Sequence, residues 1–164
     1  MPMVRSSLLA ATLAGPALAQ QVQDCDEIPP VTSLVEPWEE TSLSIGAGAI
    51  RLALLHGTQD EGVTLLVLTL PPPEPGGEDD GAAATSEGPP PPPPVPRCRL
   101  VTEGGLGFAG LDIGAIETDE DAEAATLTAA IPALGFIPES TQLEERTLTL
   151  TFGVTDDSLV ADLD

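Results

Sequence analysis

"TLTLTF", residues Thr147–Phe152, is the stretch on which the fold turns. In an extended chain Thr147, Thr149 and Thr151 lie on one side, and Leu148, Leu150 and Phe152 on the other. That alternation is the pattern of an antiparallel strand with one face in a core and one in water. Working outward, "GVTDD" (153–157) turns the chain. "SLVADL" (158–163) then returns with Leu159, Ala161 and Leu163 on a common face. Upstream, "ATLTAAI" (125–131) alternates Thr126 and Thr128 with apolar neighbours and reads as a further strand. Its expected partner is "GFAGLDIGAI" (107–116), an irregular strand whose glycines allow bulges or close backbone approach. The acidic stretch "ETDEDAEA" (117–124) is expected to be the turn between them.

The first half of the chain repeats the theme. "AIRLALLH" (49–56) places Ile50, Leu52 and Leu54 on one face. "VTLLVLTL" (63–70) is apolar on both faces and rich in β-formers, which suits a central strand. "GTQDEG" (57–62) joins them as a hairpin turn with glycine at each end. "RCRLVT" (97–102) adds another strand. No stretch carries a long apolar run at helical spacing. The expected fold is mainly β: an antiparallel β-sandwich or partly open barrel of about seven short strands. Aromatic residues are limited to Trp38, Phe108, Phe136 and Phe152, so the core must be mostly Leu, Val, Ile and Ala. Trp38, within "EPWEE", is expected to anchor the N-terminal segment by packing.

Between the two halves lies "PPPEPGGEDDGAAATSEG" followed by "PPPPPPVPRC". Residues 71–96 are low in apolar content, and the proline run should adopt polyproline II. Neither half has enough strands to bury a core alone, so this region reads as a long Pro-rich loop inside a single β domain spanning residues 20–164. As a ligand for a proline-binding groove it fits poorly. Such grooves often want a basic residue two places after P-x-x-P, and Val95 stands where the last proline before Arg97 would be needed.

The N-terminal residues 1–19 have the parts of a secretory signal peptide. Arg5 is the positive region, Leu8–Ala14 the short apolar core, and Ala17-Leu18-Ala19 the small-x-small cleavage pattern. The apolar run is shorter than the roughly 20 residues a membrane span requires. Cys25 lies too far beyond the cleavage point to carry a lipid anchor. The mature chain is therefore expected to start near Gln20, to be periplasmic or secreted, and not to insert into a membrane. Cys25 and Cys98 are the only cysteines; an even pair in an exported chain points to a disulfide between them.

A formal net charge of −22 argues against nucleic acid and anionic membrane as partners. It suits either general solvation in salt or a cationic or protein partner in the envelope. Chemistry-bearing patterns are sparse. Asp119, Asp121 and Glu123 alternate like the start of an EF-hand loop and are the calcium candidates, with Asp156 and Asp157 as further ligands of a looser site. Position six would be Ala124 instead of glycine, and position twelve Ala130 instead of glutamate. The stretch reads as a solvated acidic turn, and no metal or cofactor is expected. His56 is the only histidine and sits beside Gly57 with Asp60 and Glu61 nearby, but no G-x-S-x-G elbow accompanies it. The Gly105-Leu106-Gly107 spacing lacks the strand–helix context of a phosphate loop. No catalytic residue is assigned. The function expected is a non-catalytic binding or interaction module of the cell envelope; the alternative is an envelope hydrolase with a site assembled across loops.

Overall fold

The computed structural model describes residues 20–57, 62–71, 94–137, 140 and 142–164. The chain is mainly β, with ten strands among the described residues in two antiparallel sheets that do not close into a barrel, an arrangement consistent with a β-sandwich. The strands are β1 (Gln20–Asp24), β2 (Ser42–Ile45), β3 (Ile50–His56), β4 (Val63–Thr69), β5 (Arg97–Glu103), β6 (Gly110–Leu111), β7 (Glu117–Asp121), β8 (Thr126–Phe136), β9 (Leu143–Gly153) and β10 (Leu159–Leu163). The first sheet has the order β1-β5-β4-β3-β2. The second runs β10-β9-β8, and both β6 and β7 pair with the far edge of β8. No helix among the described residues is long and apolar enough to cross a membrane.

Alternation places the core. Leu148, Leu150 and Phe152 of β9 are buried, as are Leu127, Ala129, Ile131 and Ala133 of β8. They meet Ile50, Leu52 and Leu54 of β3, Leu65 and Val67 of β4 and Val101 of β5 in one cluster. Full burial of each large side chain is worth roughly 1.5–3 kcal/mol, which makes this interface the main source of stability. The cluster draws on residues from both sides of the Pro-rich region, and β4 and β5, which flank it, are hydrogen-bonded neighbours. The proline run itself, Pro89–Pro94, lies outside the described residues except for its last member.

Three expectations need correction. The acidic stretch 117–124 is not all turn. Glu117–Asp121 forms β7, paired with Thr126–Ala130 of β8, and only residues 122–125 turn. Every side chain of β7 is exposed, so the strand takes its order from backbone pairing and needs no apolar residue. β8 also continues through Pro132 to Phe136, and its Gly110–Leu111 partner meets that extension. Pro132 is tolerated because a strand residue points its N and C=O to the same side. Its carbonyl accepts from Asp112 N on the β6/β7 side, so the missing N–H falls in the gap between those two strands and costs no bond to β9. Finally, Trp38 is no packing anchor: it is 59% exposed. The turn that carries it is held by its own backbone, with Glu40 N and Thr41 N donating to Pro37 O. Val35 docks this segment instead, packing against the core while its N–H donates to Leu54 O.

Candidate functional site

Three turns and one strand end meet at one end of the two sheets and line a cleft of about 600 Å³. They are the β2–β3 turn, the end of β4, the β7–β8 turn and the β9–β10 turn. The walls are apolar, with Ile50, Leu127 and Phe152 deepest and Leu70 and Val154 nearer the mouth. Glu120 and Asp121 line the cleft from the β7 side, and Asp157 from the β9–β10 turn. Glu120 stands opposite Leu127 in the β7–β8 register, and so on the core-facing side of its strand.

A charge network holds this end of the molecule together. Arg99 is inward-facing on β5 and only 3% exposed. Its Nη2 lies 2.8 Å from Asp157 Oδ2 and also donates to the Asp157 carbonyl. Thr69, buried at the end of β4, donates to Asp157 Oδ1 at 2.8 Å. Arg97 bridges Asp157 and Asp24, with Nη1 3.3 Å from Asp157 Oδ2 and Nε 3.1 Å from Asp24 Oδ1. Burial opposes the charge on Asp157, but the Thr69 hydrogen bond and the two arginines outweigh it, so its carboxyl is held below the usual range. The hydrogen bond from Arg97 does the same for exposed Asp24. The Cys25–Cys98 disulfide ties the end of β1 to β5 beside this network. The pairing expected from the sequence is therefore present.

The opposite end holds a different feature. Glu103, at the end of β5, is 5% exposed, and neither of its carboxylate oxygens has a hydrogen-bond donor in good geometry among the described residues. Arg146 Nη1 is 3.9 Å away, but that side chain is engaged with Glu144 at 2.6 Å. Burial pushes the Glu103 carboxyl up, against the pull of Arg146 and the Phe136 backbone N–H. A more open depression near this end, lined by Leu111, Pro132, Leu134 and Arg146, has no comparable apolar depth.

The chain fits no family model, no curated protein and no solved structure.

The sequence-level candidates scatter. Asp119 and Asp121 share one side of β7, while Asp121 Oδ1 accepts from the backbone N–H groups of Glu123 and Ala124, closing the turn. Asp156 likewise accepts from Ser158 N. Among the described residues, no group of three or more His, Cys, Asp or Glu side chains is arranged to hold a metal ion. His56 is exposed at the end of β3 and makes no side-chain hydrogen bond among the described residues; Asp60 and Glu61 lie outside them. Gly107 has φ +108°, and a Cβ there would stand 2.8 Å from Val63 O. That glycine serves the Val63–Phe108 bridge rather than a phosphate.

Arg99, Thr69 and Glu120 were not singled out from sequence. Their signal was register. In "RCRLVTE" one face carries Arg97, Arg99, Val101 and Glu103, and the other Cys98, Leu100 and Thr102. Hydrophobicity alone favours burying the second face, whereas the structure buries the first.

Proposed function

We propose that this chain is an exported, non-catalytic binding module of the cell envelope, a single β domain from residue 20 to 164 that receives its ligand in the end cleft. The observation that carries this reading is the cleft itself: an apolar concavity of the size small-ligand sites have, with Thr69 and Asp157 of the ion-pair network in its lining. Export is supported by the leader-like residues 1–19 and by a disulfide, which persists in oxidising compartments. The test blocks the cleft without disturbing the core. Ala49 and Ala122 line its mouth and are exposed, so Ala49→Trp or Ala122→Trp should fill it and leave thermal unfolding unchanged. Immobilised chain should retain a small molecule from envelope extract that either blocked variant does not retain, detected by mass spectrometry of the eluate. Equal retention by blocked and unblocked chains would refute the cleft as the site.

A further inference from the structure

Resting on that reading, we infer that the cleft takes a small amphiphilic cation, with an alkyl or aryl body against the apolar lining of Leu127, Phe152, Leu70 and Val154 and an ammonium-type head at the rim beside Glu120 and Asp121. The body follows from the walls. Leu127 and Phe152, almost fully covered, close the apolar lining at depth, Leu70 and Val154 expose apolar surface nearer the mouth, and a purely hydrophilic cation would gain nothing from it. The head follows from the charge left over at the mouth. Arg97 and Arg99 are committed to Asp24 and Asp157 and offset those two carboxylates. Glu120 and Asp121 have no ion-pair partner among the described residues. Asp121 alternates to the other side of β7, where its Oδ1 accepts from the turn N–H groups, and its charge adds to the field at this end. Charges at the mouth of a low-dielectric cleft focus their field into it, and a chain of net charge −22 concentrates cations around itself. An anion of the same shape is repelled by both. The cleft's volume of about 600 Å³ suits a compact molecule.

The experiment is calorimetric titration of the disulfide-bonded chain with four probes: octyltrimethylammonium, 1-octanol, octanoate and tetramethylammonium. The cation with the tail should bind one per chain, about tenfold or more tighter than octanol, a difference of about 1.4 kcal/mol. Octanoate and tetramethylammonium should bind far more weakly. The preference should shrink as salt rises from about 0.01 M to 1 M, where the Debye length falls from roughly 30 to 3 Å. Glu120→Gln with Asp121→Asn, which keeps the amide oxygen for the turn, should remove the preference but not octanol binding. Ala122→Trp should abolish both. Octanol or octanoate bound in the cleft as tightly as the cation would overturn the ligand class and leave the binding-module reading standing. Cation binding that survives Ala122→Trp, or that tetramethylammonium matches, would be surface ion pairing and would overturn the inference. No binding of any probe would overturn both.

Discussion

Asp157→Ala is the sharpest perturbation of this architecture, because it strips the main partner from a buried guanidinium. Arg99 is 4% exposed at its side chain and reaches Asp157 through both the carboxylate and the backbone carbonyl. Breaking a buried ion pair from one side typically costs about 3–5 kcal/mol, since the remaining charge stays uncompensated. Two features pull the value to the low end. The Asp157 carbonyl survives the substitution, and Asp24 lies 3.9 Å from Arg99 Nε. A loss of about 3 kcal/mol is expected. For a chain of 164 residues, each kcal/mol shifts the melting temperature by roughly 2–4 °C, so Tm should fall by roughly 6–12 °C. Far-UV circular dichroism is the suitable probe, as exposed Trp38 reports little of the core. Arg99→Met should cost less, because Asp157 is more exposed and keeps Thr69 and Arg97. The pH profile adds a second check. A carboxyl held below its ordinary value stabilises the fold at pH above the unfolded value of about 3.9, and that contribution is lost as pH falls through the folded value. Asp157→Ala should remove this acid limb. A loss below about 1 kcal/mol, the size of an ordinary hydrogen bond, or an equal cost for Arg99→Met, would refute the buried-pair account.

Glu103→Gln should act in the opposite direction, stabilising the chain by about 1 kcal/mol at neutral pH by removing a poorly partnered buried charge. Because burial raises the Glu103 carboxyl, the wild type gains stability as pH falls through the folded value, and the two proteins should converge in acid; urea melts from neutral to acidic pH test this, and a destabilised variant at neutral pH would mean that Arg146 compensates fully. Cys25→Ser with Cys98→Ser opens a loop with a sequence separation of 73 and should cost up to about 4 kcal/mol on the chain-entropy model, read as a lower urea midpoint; an unchanged midpoint would show that the unfolded chain is not constrained by the bond.

The sheets were legible where alternation was strong. The repeating Thr and Leu of β9 and the apolar runs of β3 and β4 announce strands because their buried faces are chemically uniform. β1, with the sequence QQVQD, and β7, with ETDED, carry no such signal, because edge strands are held by one neighbour's backbone and need little or no buried side chain. Val22 is the only apolar residue of β1, and it does pack on the core. The disulfide was legible because two cysteines leave one pairing. The cleft was not, since it is assembled from three turns and a strand end that are far apart in sequence and its chemistry depends on which face of β7 looks inward.

The acidic strand β7 has a consequence for how copies of this chain meet. One of its edges is paired with β8, and the other has no strand beside it among the described residues, which is ordinarily a template for joining a second sheet. Its residues include Glu117, Asp119, Glu120 and Asp121. Two such strands side by side, about 4.8 Å apart, would bring two sets of four carboxylates against each other with no cation between them. Polymerisation through this edge is thus opposed by the strand's own side chains, and the chain can remain concentrated in its compartment without zipping into fibres along this rim. The protection is electrostatic, so it weakens where acid protonates these groups or salt screens them.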